Sequence, residues 1–119
     1  MGLPHEVDAI SGAFFFTRHD LLRSLHGFDE DYFMYGEYVD LSYRIQKRGF
    51  KIMYYPVYSI LHLKYQSGLK TSDPSVKSKT KDYFYDAMKI FFKKHYAAEY
   101  PSFITPLVDS FIDLKKRFS

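Results

Sequence analysis

Cysteine and tryptophan are both missing from the 119 residues. Without cysteine there is no disulfide, no thiolate metal site and no cysteine nucleophile, so any chemistry falls to carboxylates, histidine, tyrosine or lysine. Long hydrophobic runs are missing too. No stretch approaches the roughly 20 apolar residues of a membrane-spanning helix, and the opening MGLPHEVD has neither the basic n-region nor the apolar h-region of a secretory signal. These absences predict a soluble, cytoplasmic chain. No internal repeat is visible, and a chain of this length is expected to form a single folded unit with a modest core.

What is present is unevenly spread. Tyrosine and phenylalanine number 12 each, and aromatics make up 20% of the chain. Tyrosine joins an apolar body to a polar tip, which suits surfaces that meet a partner. The formal net charge is +3, yet residues 1–76 hold 8 Lys/Arg against 9 Asp/Glu, whereas 77–119 hold 9 against 5. Acidic chemistry therefore lies early and the basic face late. The late lysines either form a solvated face or meet phosphate or anionic headgroups. No nucleic-acid motif accompanies them, and nucleic acid is not an expected partner.

Local pattern predicts the elements. Residues 13–17 are a short apolar run that reads as a buried strand. Thr17 is placed to cap a helix over 18–26, with Asp20 three residues on and Gly27 ending it. Residues 28–36 follow neither helical nor strand period and read as a loop with many apolar side chains. Val39, Leu41, Ile45 and the ring of Tyr38 fall on one face of a helix over 37–48, with Gly49 at the position just past its end. Residues 50–55 and 58–63 read as strands separated at Pro56. Residues 65–80 read as a flexible loop. A helix over 82–96 and an amphipathic helix over 106–118 complete the chain. That last helix is placed to rest on a membrane surface or on a partner.

Five carboxylates, Asp29, Glu30, Asp31, Glu37 and Asp40, lie within twelve residues. Glu37 and Asp40 are three apart, so a helix puts them on one face at its N-terminal end, where backbone N–H groups favour negative charge. Such a pair either decorates the first turn or orients and deprotonates a hydroxyl. His62 follows an apolar run and is either a satisfied histidine or one ligand of a divalent cation such as Mn²⁺.

The order of the pieces carries more than any one of them. Ser11-Gly12-Ala13-Phe14, then Gly27-Phe28-Asp29-Glu30, then Tyr32-Phe33-Met34-Tyr35-Gly36-Glu37-Tyr38-Val39-Asp40-Leu41-Ser42-Tyr43-Arg44, resembles the C-terminal half of family 2 glycosyltransferases, particularly the rhamnosyltransferase-like group. Gly49, Pro56, His62 and Gln66-Ser67-Gly68 continue the resemblance, which spans residues 7–101. It implies an α/β chain, the acceptor-side portion of a GT-A nucleotide-diphospho-sugar transferase fold with few strands and about four helices. Residues 1–101 would form that partial domain and 102–119 a C-terminal amphipathic helix.

By the same resemblance the activity is inverting transfer of a sugar from a nucleotide-sugar donor to a saccharide acceptor in cell-surface polysaccharide synthesis, assisted by Mn²⁺ or Mg²⁺. The resemblance assigns acceptor binding to Asp29, Phe33, Tyr35 and Gly36, proton transfer to the region of Glu37, Tyr38 and Asp40, and the metal to His62. The family's general base is the Asp of a Gly-Glu-Asp-Val-Asp-Leu pattern, and Tyr38 stands at that position here. The nucleotide-binding strands and their Asp-x-Asp motif have no counterpart in the sequence. An isolated chain is therefore expected to be inactive, to need a separate nucleotide-binding half or to self-associate, and to work at most peripherally on the inner face of a membrane. The alternative is a noncatalytic carbohydrate- or partner-binding module with a basic C-terminal face.

Overall fold

Helices carry most of the regular structure. The computed structural model describes residues 2–63 and 74–119, and within them are α1 (His19–Ser24), α2 (Glu37–Lys47), α3 (Pro74–His95) and α4 (Ile104–Phe118), with strands β1 (His5–Glu6) and β2 (Met53–Tyr54). Contacts divide the chain into two compact units, Met1–Glu30 with Glu37–Lys64 and Asp31–Gly36 with Tyr65–Ser119. This division does not follow the expected boundary at 101/102, because α4 packs on α3 inside the second unit. No helix among the described residues is long and apolar enough to cross a membrane.

In the first unit, α2 presents Leu41 and Ile45 to Leu21 and Leu25 of the α1 region and to Ile52, and Val7, Ile10, Phe15 and Leu22 close around them. Each fully buried aliphatic side chain of this kind contributes about 1.5–3 kcal/mol. β1 and β2 form an antiparallel ladder with His5 opposite Tyr54 and Glu6 opposite Met53, extended by a hydrogen bond from Val7 N–H to Ile52 C=O at 2.9 Å. The Gln46 amide donates to the carbonyls of Val7 and Asp8 at 3.3 and 2.9 Å, which ties α2 to the end of β1.

Both helices of this unit end in the same way. Gly49 N–H bonds Gln46 C=O and Phe50 N–H bonds Ile45 C=O, the paired bonds of a Schellman cap, with Gly49 at φ 86° as expected. In α1 the equivalent bonds run from His26 to Arg23 and from Gly27 to Leu22. His26, at φ 59°, occupies the left-handed position there, and Gly27 at φ 69° follows it. The expected Thr17 cap does not form. Arg18 occupies the N-cap without a side-chain cap bond and pairs with Asp20 instead.

Three expected elements differ. Residues 13–17 are not a strand: Phe15 turns toward the core while Phe14 and Phe16 face solvent, and Ala13 N–H bonds the Ser11 hydroxyl. The side chains alternate in exposure, but these residues take no part in the one ladder formed among the described residues. Residues 58–63 carry no strand either, and only Met53–Tyr54 of the expected 50–55 strand pairs. Of the expected loop over 65–80, residues 65–73 lie outside the described residues, and 74–80 are helical. Lysine is a good helix former, and Thr80 satisfies its hydroxyl on Val76 C=O at 2.9 Å, so the polar composition does not oppose the helix.

In the second unit α3 and α4 pack through Ile112, with Tyr32, Tyr85 and Ala87 also buried. Two ion pairs, Lys89 with Asp113 and Lys116 with Asp82, link the two helices. A turn of 3₁₀ helix, Ala97–Glu99, connects them, and Tyr100 stacks on Phe92 with ring centroids 6.2 Å apart.

Candidate functional site

The start of α2 is the chemical centre of the first unit. Glu37 is the helix's first residue, and its Oε2 is buried with no hydrogen-bond partner among the described residues. Buried polar atoms are nearly always satisfied, so a carboxylate oxygen left without a donor calls for a reason. Tyr38 follows, half-buried, and a Cβ built on Gly12 would stand 3.4 Å from its Cβ and 3.5 Å from its ring. The glycine in Ser11-Gly12-Ala13 thus lets the backbone lie directly against Tyr38.

Asp40 is fully buried. Its Oδ2 accepts from Arg44 Nε at 2.7 Å, and the other two guanidinium nitrogens donate to Leu25 C=O at 2.7 Å and Gly27 C=O at 2.8 Å. The planar, permanently charged guanidinium satisfies one buried carboxylate and two cap carbonyls together. Asp40 therefore fixes the turn that ends α1 and does not reach solvent. Of the two acids expected to work together, Glu37 alone keeps free acceptor capacity. Sequence reasoning missed Arg44, although the Asp-x-x-x-Arg spacing on a predicted helix was the available signal.

Asp29, half-buried, belongs to the first unit, whereas Phe33, Tyr35 and Gly36 belong to the second. Gly36 sits at φ 84°, and a Cβ there would come within 3.0 Å of both Ala87 Cβ and Tyr32 Cδ1, so only glycine fits. Tyr35 precedes it at φ 66°, an uncommon conformation for a bulky residue. Its ring meets Phe84 edge-on at 6.2 Å. Phe33 packs against Tyr83 with centroids 4.6 Å apart yet remains 75% exposed, leaving an aromatic surface available. A small hollow of about 190 Å³ lies beside it, lined by Tyr32, Met34, Tyr83 and Asp86 among others. Asp31 pairs with Lys94, whose ammonium also lies 5.9 Å from the centre of the Tyr32 ring.

His62 is exposed and lines an open depression of about 590 Å³ in the first unit, together with Ser11, Phe14, Phe16, Tyr54 and Tyr58. Among the described residues no Asp or Glu lines this depression. Among the described residues no three His, Asp or Glu side chains come together. These side chains do not by themselves form a divalent-cation site, which needs several converging ligands. Glu37 and Asp40 do not line the depression either; its link to α2 is through Ser11 and Ala13, which flank the Gly12 that contacts Tyr38.

Comparison with known proteins places a resemblance over part of this chain. It is 36% identical to the rhamnosyltransferase WbbL of Escherichia coli over 56 residues, covering 47% of this chain and 21% of that protein. It is 41% identical to the N-acetylglucosaminyl-diphospho-decaprenol L-rhamnosyltransferase of Mycobacterium tuberculosis over 61 residues, covering 51% of this chain and 20% of the relative. The chain thus spans about a fifth of the length of the curated relatives it matches. No protein-family model matches it, and no solved structure matches it. About half of the chain is a glycosyltransferase-like region similar to rhamnosyltransferases.

Proposed function

We propose that this region is the acceptor-side portion of an inverting family 2 glycosyltransferase with a GT-A fold. The reaction moves a sugar from a nucleotide-sugar donor to a saccharide acceptor in cell-surface polysaccharide synthesis. The observation that carries the reading is the likeness, at 36% and 41% identity, to rhamnosyltransferases of two different bacteria. In such a transfer an acceptor hydroxyl attacks the anomeric carbon, the bond to the diphosphate breaks on the opposite side, and the hydroxyl proton passes to a base.

The side chains at the start of α2 take distinct roles in this reading. Glu37, with an unsatisfied carboxylate oxygen, accepts the hydrogen bond of an acceptor hydroxyl and orients it. Asp40 is a positioning residue that acts through Arg44. Tyr38 occupies the position of the family's general base, and a neutral phenol is a poorer proton acceptor than a carboxylate. In the second unit Phe33 and Tyr35 offer aromatic faces on which a sugar ring stacks, with Gly36 shaping the turn that carries them. The nucleotide, and any Mn²⁺ or Mg²⁺ with it, would be held chiefly by a nucleotide-binding portion outside these residues. His62 contributes one ligand at most, and that portion covers the depression His62 lines.

The test is transfer from nucleotide-activated rhamnose by the chain alone and by the chain fused to the N-terminal portion of the Escherichia coli relative. The chain alone is expected to give no turnover. The fusion is expected to turn over slowly, and Tyr38→Asp to raise its rate by about 10²-fold or more, the usual contribution of a positioned base. Equal, high rates with Tyr38 and Asp would overturn the assigned base position. A second reading, a noncatalytic carbohydrate- or partner-binding module, is favoured specifically by Tyr38. It predicts saccharide binding, seen as NMR shift changes, with no transfer by either fusion.

A further inference from the structure

The C-terminal helix is packed on one side only. Ile112 is buried and Ile104 and Val108 are half-buried, and these three follow the i, i+4, i+8 spacing of one helical face. Phe103, Leu107, Phe111, Leu114 and Phe118 are spaced at four, four, three and four residues and form a second apolar stripe, left in solvent. Phe111 is 68% and Phe118 81% exposed. Apolar side chains scattered singly on a surface mean little, but five in one line along a helix form a contiguous patch.

Charge indicates what covers it. At 100° per residue, Lys115 falls on one flank of the stripe and Arg117 on the other, while Asp109 and Asp113 fall on the far side. Asp113 is already held by Lys89, and Lys116 by Asp82. The last turn holds Lys115, Lys116 and Arg117, and the first turn has no acidic residue. A second copy docking antiparallel would bring that basic turn against an end with no acid to meet it. A flat, anionic, apolar-backed surface complements both the stripe and its rim. We infer that α4 docks on anionic lipid bilayers, lying in the plane of the interface with Leu107, Phe111, Leu114 and Phe118 entering the headgroup and acyl boundary and Lys115 and Arg117 meeting acidic headgroups. The inference stands on α4 alone and does not depend on the transferase reading.

The test uses the full chain and sedimentation with vesicles of phosphatidylcholine alone or mixed with phosphatidylglycerol. Binding is expected to the mixed vesicles, to be weaker by about tenfold on pure phosphatidylcholine, and to fall with added salt. Leu107→Ser with Phe111→Ser should abolish binding, and Lys115→Glu with Arg117→Glu should lower it by about tenfold or more. All four residues are solvent-facing, and circular dichroism on both variants checks that the helices remain. No binding by the unaltered chain, or unchanged binding by both folded variants, would overturn the inference. So would sedimentation showing a dimer that the Leu107/Phe111 variant dissociates, since the stripe would then be a self-association surface.

Discussion

Burying the Asp40 carboxylate would cost several kcal/mol if nothing met it. Arg44 meets it at 2.7 Å, and its two terminal nitrogens each donate to a carbonyl of the α1 cap. Arg44→Met removes the charged partner of a buried carboxylate and the donors of two cap carbonyls, and is expected to lower stability by about 3 kcal/mol. Adding Asp40→Asn should recover part of that loss, because it removes the charge. Urea unfolding of the two variants checks this, and equal stability would show that the pair is not the clamp described. Asp20 is the contrasting case. Its carboxyl is held below the ordinary Asp value chiefly by the hydrogen bond from Arg18, on an exposed surface. A depressed folded pKa means that the contribution is present above the ordinary value of about 3.9 and is lost as pH falls through the folded pKa. An NMR titration should show the Asp20 pKa rising toward the ordinary value in Arg18→Ala, with little change in stability at neutral pH. Both pairs were visible in the sequence as charge spacings, i,i+4 for one and i,i+2 for the other. Burial decides which matters, and burial depends on how the α1 cap meets α2, a contact between residues 17 to 19 positions apart that no local pattern encodes.

At the scale of elements, periodic signals were the legible ones. α2 and its Gly49 cap follow from apolar spacing and one glycine, and α4 follows from its two stripes. The 74–80 helix was hidden because Ser, Thr, Lys and Pro mark loops by composition, whereas here they continue a helix whose later turns are anchored by Tyr85 and Ala87. The expected 13–17 strand does not form because a short apolar run gives local character but specifies no pairing partner. The α1 cap differs in detail from a helix simply ended by Gly27: His26 takes the first left-handed position and Gly27, also left-handed, follows it. That difference is testable. An L-residue at φ 59° carries a penalty that glycine does not, partly offset by glycine's greater freedom in the unfolded chain. His26→Gly is expected to stabilise the chain by about 0.5–1 kcal/mol, seen as a raised thermal midpoint. A lowered midpoint would mean that the exposed imidazole makes a contribution of its own to the cap.

For the whole molecule, the uneven burial of its aromatics bears most directly on behaviour in solution. Phe14, Phe16 and Tyr58 line one depression in the first unit, and Phe16 is 90% and Tyr58 81% exposed. A contiguous apolar face of this kind on an isolated chain is an association surface, and in the transferase reading it is the face that a nucleotide-binding portion covers. The 14.2 kDa chain alone should therefore show concentration-dependent self-association by sedimentation velocity. Phe14→Ser with Phe16→Ser should return it toward the monomer mass while leaving the helical circular dichroism unchanged, because neither side chain belongs to the core of Leu21, Leu25, Leu41, Ile45 and Ile52. Fusion to the nucleotide-binding portion of the Escherichia coli relative should have the same effect without any substitution. If the substitutions disperse the chain and the fusion does not, the depression is a sticky surface but not the seam between acceptor and nucleotide sides. The likeness to rhamnosyltransferases would then need another location for that seam.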